Sequence, residues 1–407
     1  LFSRANIIAN ETKIRLVDSD EETGLDLFCY NHCSNEESDF VKQSRGLVFN
    51  GDSLVMKAFP YTDEYSHHDK NILNSVFTDI SQWTFFTSFE GALLRLFFFS
   101  GKWFLSTHRK LNAFRSKWAS RESFGSLFQK ALRKEYNNVD ILEHFYSTLD
   151  KNKQYMFLLR NCSENRIVCQ PPSNEDPFIL HVGTFVNGKL FFDEVLNAIT
   201  SPKPKKFQSV DELTSFIDSE IDPTVNQGVV CFGPDSKQVK VLHSDYLEMF
   251  RVRGNEPSIK FRYLQVRMNK KMTEMLFRLY PELSPVFDDY ENTIYDIARG
   301  IYRAYVQRFI KKRYVTVPKE EYQVVNECHS WHLSDKGNNR ICLDRVIQTL
   351  NKQSPTNLNH MIRRFKMEQA KKQNLIPRAV KGSRPGSVSS SPAIIGTVGI
   401  EPIVLLR

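Results

Sequence analysis

Apolar residues fall in short runs over the first 260 positions and in a helical stripe beyond them. Ser44-Arg45-Gly46-Leu47-Val48-Phe49 reads as a strand, closed by Asn50-Gly51, a dipeptide that commonly turns one strand into the next. Residues 84–107 predict a hairpin: Leu94–Phe99 leads into Ser100-Gly101, and Lys102–Thr107 leads out. Residues 121–149 predict helix, because Phe124, Leu127, Phe128 and Leu132, then Ile141, Leu142 and Phe145, recur at helical positions. Strands are expected at 155–160, 166–169, 178–186, 189–193, 228–232 and 238–242, with a helix over 208–219 opening at Ser209. This mixture predicts an α+β fold built on an antiparallel sheet. From about residue 262 the period becomes helical, and Ile294, Ile297, Ile301, Tyr305 and Phe309 step by three or four along one face. Lys311-Lys312-Arg313 closes that stretch, where positive charge suits a helix C-terminus. Further helices are expected at 340–351 and 355–372.

The stretch 373–407 changes character. It carries Pro, Gly and the serines of 387–391, then the apolar pieces Ile394-Ile395 and Ile403-Val404-Leu405-Leu406. Its β-branched pieces would suit addition as strands to a partner's sheet edge, so other proteins of an assembly are the expected partners. The boundaries expected are 1–260, 261–372 and 373–407.

Charge divides the same way. The whole chain of 407 residues has a formal charge of +8, but residues 301–382 hold 17 Lys and Arg against 6 Asp and Glu. The surplus therefore belongs to the C-terminal block, which points to a polyanion partner such as RNA or to a solvated helical face. Lys311, Lys312, Arg313, Arg363, Arg364 and Lys366 are the candidate contact residues, read as lying on helices of this block. No run of ~18 uncharged apolar residues is present to span a membrane. No secretory signal is visible, although a piece ahead of Leu1 is an open alternative. Seven unevenly spaced cysteines suggest reduced thiols and an intracellular, cytoplasmic setting. Cys328-His329-x-x-His332 offers three metal donors, but no second cluster with zinc spacing completes it, so no metal site is expected.

Five segments carry a family resemblance. They are Ser44–Phe49, Ser88-Phe89-Glu90-Gly91, Ser163–Val168, Gln227-Gly228-Val229-Val230, and Lys240 before Ser244-Asp245-Tyr246. Their order and spacing resemble phage-type RNA ligase 1 among the covalent nucleotidyltransferases, over about residues 10–260. The resemblance implies an antiparallel-sheet nucleotidyltransferase (ATP-grasp-like ligase) domain, followed by an all-helical C-terminal domain. In that family a lysine attacks ATP and holds AMP, while acidic groups place the sugar and a divalent metal.

Read residue by residue, the pattern is degenerate. Ser88 stands where the nucleophilic lysine is expected, and it cannot form the phosphoramidate. Leu159 stands at the glutamate of the third motif, and Gln227 replaces the glutamate of the fourth. Lys240 is followed by Val241 and Leu242, so one cation remains of the fifth. Arg45, Glu90, Gly91 and Lys240 survive as a vestigial nucleotide site, with no catalytic residue and no cofactor expected. The reading is a pseudoenzyme serving as a structural or assembly module, with a viral particle component such as a minor capsid protein as its plausible form. The alternatives are a non-catalytic RNA-binding protein and an active ligase that uses ATP, Mg and an unrecognised nucleophile. Elsewhere, His67-His68 reads as a surface pair, and Phe97-Phe98-Phe99 as sheet core rather than a stacking platform. Arg109 and Lys110 read as either facing a phosphate groove or sitting in a solvated turn.

Overall fold

The computed structural model describes residues 3–57, 59–133, 140–160, 166–170, 177–196, 199–234 and 237–375, with side chains to 372. The chain divides into two compact units, Leu1–Pro257 and Ser258–Arg407.

The first unit is built on three sheets. Strands β1 (Ile14–Asp20), β2 (Leu25–Tyr30), β3 (Arg45–Asn50) and β4 (Ser53–Met56) form an antiparallel meander in that order. The chain then lays down β5 (Asp63–Ser66), β6 (Thr84–Ser88), β7 (Ala92–Phe99), β8 (Lys102–Ser106), β9 (Lys153–Arg160), β10 (Phe178–Val186), β11 (Lys189–Phe191), β12 (Gly228–Phe232) and β13 (Gln238–Leu242). The second sheet has the order β11-β10-β9-β7-β8, and the third β5-β13-β12-β6. Every pair is antiparallel except β5 with β13, which run parallel at the edge.

The predicted hairpin is β7–β8, turned by Ser100 at φ 48° and Gly101 at φ 86°. Two residues with positive φ give the turn whose twist matches the strands it joins. Thr84–Ser88, expected in the same hairpin, pairs instead with β12 in another sheet. The second sheet is buried on both faces, which explains why Leu93–Phe99 is apolar at every position but Arg95. Leu94, Leu96, Phe157 and Leu159 pack in one core cluster with Leu127, Phe128 and Phe145 of two helices, α4 (Phe124–Arg133) and α5 (Ile141–Ser147). Phe97 and Met156 belong to a second cluster, with Leu25, Leu27 and Val48 of the meander. Phe97 is thus core, as expected, while Phe98 and Phe99 are half-buried.

Further helices complete this unit: α1 (Arg4–Ile8), α2 (Asp39–Gln43), α3 (Lys70–Val76), α6 (Val210–Glu220) and α7 (Ser244–Arg253). Ser209 caps α6, its hydroxyl accepting from the Glu212 amide at 3.1 Å. Leu213 and Ile217 of α6 are fully buried against Phe85, Val229 and Val241 of the third sheet. Each contributes about 1.5–3 kcal/mol of apolar burial. Residues 166–169, expected as a strand, are not one; the backbone amides of this segment are taken by a side chain of the site instead.

The second unit is helical: α8 (Ile259–Val266), α9 (Lys270–Leu279), α10 (Ser284–Tyr305), α11 (Lys319–Ser334), α12 (Leu343–Asn351) and α13 (Pro355–Leu375). Ile294, Ile297, Ile301 and Tyr305 are buried along α10, as their spacing predicted. A π-helical turn, Val306–Ile310, ends that stretch. Among the described residues, no helix is long and apolar enough to cross a membrane.

Candidate functional site

The third sheet has two faces with different tasks. Phe85, Val229, Cys231, Val239 and Val241 pack with α3 and α6 in a hydrophobic cluster. The alternate residues Phe86, Ser88, Val230, Phe232, Gln238, Lys240 and Leu242 line a cavity of about 240 Å³. Strand register explains the sorting, since Ser88 pairs with Gly228, Phe86 with Val230, and Val230 with Lys240. The same cavity is lined by Arg45, Glu64, Glu90, Gly91, Leu158 and Tyr246. Segments far apart in the sequence, Ser44–Phe49, Ser88–Gly91, Ile167, Gln227–Val230, Lys240 and Tyr246, thus meet at one place.

Gln227 is the centre of a hydrogen-bonded chain. Its Oε1 accepts from Ser88 Oγ at 2.9 Å and from Lys240 Nζ at 3.2 Å. Its Nε2 donates to the Tyr246 hydroxyl at 2.7 Å, which in turn donates to Glu90 Oε1 at 3.1 Å. Lys240 also faces Glu64 at 3.5 Å. Ser88 and Gln227 are both buried. The Ser88 hydroxyl therefore gives its proton to an amide oxygen, and among the described residues it bonds to no base that could activate it.

Glu90 is engaged in a different way. Its carboxylate accepts from the backbone amides of Ile167, Val168 and Cys169 at 2.9–3.3 Å. Burial pushes its carboxyl above the ordinary range, partly offset by those amides and the Tyr246 hydroxyl. Burial and the Glu90 carboxylate push the Tyr246 hydroxyl up as well. Gly91 is required by close approach: a Cβ there would stand 2.5 Å from the Leu159 carbonyl oxygen.

Leu159, read as the third-motif position, does not face the cavity. Leu159 is fully buried in the cluster facing α4 and α5, and Leu158 is the residue that lines the cavity. Counting back from the Asn-Arg-Ile-Val run crosses residues 161–165, outside the described ones. Either residue is apolar, so the cavity still lacks a carboxylate there. Gln238, which the sequence reading did not single out, sits two residues before Lys240 on the same face. Alternation on a recognised strand was the signal that could have found it.

Arg45, half-buried, is held beside a buried arginine. Arg95 is wholly buried and donates to the carbonyls of Gly46 and Thr107. Burial, with Arg45 nearby, lowers its guanidinium to about 9. Gly46, at φ +71°, leaves room for it, since a Cβ would meet Arg95 Nη1 at 2.5 Å. Arg109 and Lys110 face no groove: Arg109 donates to the carbonyls of Tyr30 and Asn31, and Lys110 pairs with Asp18 at 3.2 Å.

The acidic lining does not fit a divalent metal. Glu90 is occupied by amides and Glu64 faces Lys240. Among the described residues no three His, Cys, Asp or Glu side chains are placed to hold an ion. Cys328, His329 and His332 lie on α11 but do not converge: Cys328 bonds Thr349, His329 stacks on Phe309 at 3.7 Å, and His332 bonds the Asn339 carbonyl. His67 is not a surface residue. It is 2% exposed, with His243 at 5.0 Å and Asp218 at 3.5 Å, while His68 alone is exposed.

The basic residues of the second unit separate into two groups. Arg364 is ion-paired to Glu320 and Glu321 of α11, and Lys366 to Asp289 of α10, so both serve internal pairing. Lys311, Lys312 and Arg313 are exposed, but in the segment after the π-helical turn rather than on a helix. Tyr314 follows them, 91% exposed. Arg363 is exposed on α13. The segment 373–407, expected to reach partners, lies outside the described residues from 376 onward.

No family model matches the chain. It is 28% identical over 326 residues to the immediate-early protein ICP-46 homolog of Invertebrate iridescent virus 6, covering 75% of this chain and 71% of that protein. It is 28% identical over 316 residues to the homolog of Invertebrate iridescent virus 3, covering 75% and 68%. Among solved structures, it is similar to an archaeal ATP-dependent RNA ligase, at 10% identity and a TM-score of 0.37, covering 90% of this chain and 78% of that one. A Naegleria gruberi RNA ligase gives a TM-score of 0.31 at 11% identity, over 45% and 56%.

Proposed function

We propose that this protein is an RNA-ligase-like viral protein that has lost adenylyltransferase chemistry and holds a nucleotide, free or at an RNA end, without bonding to it. The observation that carries the reading is Ser88: the position of the expected nucleophile faces the cavity as a hydroxyl bonded to the Gln227 amide, with no base bonded to it among the described residues. Lys240, the lysine that lines the cavity, is held between Gln227 and Glu64. The positions expected to carry the carboxylates for sugar and metal hold Leu159 and Gln227, Leu158 beside Leu159 lines the cavity, and Glu90 is committed to backbone amides. What remains is a cavity with two cations, Arg45 and Lys240, and several aromatic rings, which suits binding better than chemistry.

Immediate-early, the name borne by the iridovirus relatives, speaks for a role early in infection. The place in a virus particle expected from the C-terminal stretch has its basis in residues largely outside those described, and the cavity does not bear on it. RNA contact through Lys311, Lys312 and Arg313 accords with their exposure.

The test is incubation with ATP and Mg²⁺ or Mn²⁺, followed by intact mass and, separately, by equilibrium binding. Binding with no mass increment is the expected result. A gain equal to one AMP would overturn the reading, and Lys240→Ala would then ask whether Lys240 is the nucleophile.

A further inference from the structure

Two buried polar atoms of the cavity have no hydrogen-bond partner among the described residues: Arg45 Nε, a donor, and Gln238 Oε1, an acceptor. Buried polar atoms are rarely left so, and each calls for a reason. The two belong to one corner. Arg45 Nη1 donates to the Pro60 carbonyl at 3.3 Å, two residues before Thr62. Val239 pairs in parallel with Asp63, which sets the preceding residues Gln238 and Thr62 side by side. Gln238 also pairs directly with Phe232. Phe232 is ringed by Phe59 at 5.4 Å, Phe192 at 4.8 Å and Phe86 at 5.9 Å between centroids, and all four rings line the cavity.

The geometry points to a nucleobase edge in this corner, with Arg45 Nε donating to a ring acceptor and Gln238 Oε1 receiving an adjacent N–H. The proposal rests on the nucleotide-binding reading above and adds which end of the ligand lies here. A phosphate satisfies the arginine but offers no N–H to the Gln238 oxygen, and would bind only with that amide turned over. A nucleobase presents a donor beside an acceptor on one flat edge. Its faces suit aromatic walls, as base stacking on such rings does in single-strand binding proteins.

The experiment titrates the full chain with adenosine, guanosine, cytidine, uridine, inorganic pyrophosphate and ATP, and repeats this with Gln238→Leu, Gln238→Glu and Gln238→Lys. At least one nucleoside binds. Gln238→Leu weakens it about tenfold, the worth of one buried hydrogen bond. Gln238→Glu keeps the acceptor and keeps nucleoside binding, which separates loss of the contact from loss of the fold, as thermal melts of each variant do. Pyrophosphate gains nothing from Gln238→Lys. Unchanged nucleoside affinity in Gln238→Leu, or tighter pyrophosphate binding in Gln238→Lys, overturns the assignment. If ATP binds but no nucleoside does, the base assignment falls and the nucleotide reading stands; if ATP does not bind, both fall.

Discussion

Glu90 offers the sharpest test of what the cavity has become. In Glu90→Ala, the amides of Ile167, Val168 and Cys169 and the Tyr246 hydroxyl lose their shared acceptor. Val168 is fully buried and Cys169 nearly so, so the surrounding protein cannot replace it. An abandoned buried donor costs about 1–3 kcal/mol. Three amides and a hydroxyl, less what water entering from the cavity recovers, give a loss of about 3–5 kcal/mol by the same scale. For a domain of this size that lowers the melting temperature by roughly 6–20 °C. Amide hydrogen exchange of residues 166–170 should accelerate at the same time. Glu90→Gln, which keeps one oxygen but turns an NH₂ toward the amides, should fall between the two proteins. Because burial raises the Glu90 carboxyl, its contribution is full below the ordinary glutamate range and declines as pH rises through the folded value. The gap between wild type and Glu90→Gln should therefore be widest in acid. A Glu90→Ala protein that melts within about 2 °C of wild type, with unchanged exchange at 166–170, would refute the clamp and return Glu90 to the candidates for chemistry.

Other perturbations follow from the same contacts. Ser88→Lys alone should give no AMP adduct by intact mass, because Leu158 and Gln227 still supply no carboxylate; recovery of adenylylation would contradict the degenerate assignment. Burial, reinforced by Arg45, Arg95 and Arg109, lowers His108 to about 3. Its contribution is therefore present above pH ~6.5 and lost toward pH 3, at about 1.4 kcal/mol per pH unit. His108→Asn should flatten the fall in urea stability between pH 6.5 and 5, and an unchanged slope would refute it. Arg364→Ala should destabilise the helical unit by about 1–2 kcal/mol in a denaturant titration, since it strips Glu320 and the more buried Glu321 of their partner. Neutralising Lys311, Lys312 and Arg313 to Gln should leave that stability within about 0.5 kcal/mol. The same change should reduce the salt slope of RNA binding by about 2; an unchanged slope would exclude this segment as the contact.

Much of the fold was legible because its signals are local. The Ser100-Gly101 turn, the Ser209 cap and the stripe from Ile294 to Tyr305 each depend on a few neighbouring residues, and each appears where the pattern puts it. The failures lie where distant segments decide. Thr84–Ser88 reads as the start of the next hairpin, yet its partner, β12, is some 140 residues away in the chain. Leu158 and Leu159 look alike in a sheet buried on both faces, so apolar pattern could not say which one faces the cavity. Arg364 and Lys366 count as free charge in a sequence, and only the packing of α13 against its neighbours shows their acids. His67 was misplaced for the same reason, since its burial comes from Leu242, His243 and Asp218, far along the chain.

The clamp on residues 166–170 also bears on how such a protein drifts. Of the four residues Ser88–Gly91, Glu90 holds three amides and Gly91 admits a carbonyl at a distance no side chain tolerates. Neither can be exchanged without harm to folding, whatever happens to the chemistry. Ser88 holds no backbone amide in this way among the described residues; its hydroxyl bonds the Gln227 side chain. Selection for the fold alone is then enough to keep Glu90 and Gly91 over long divergence. On the proposed reading, Glu90 and Gly91 would follow the fold, and Ser88, two residues before Glu90, would follow the chemistry.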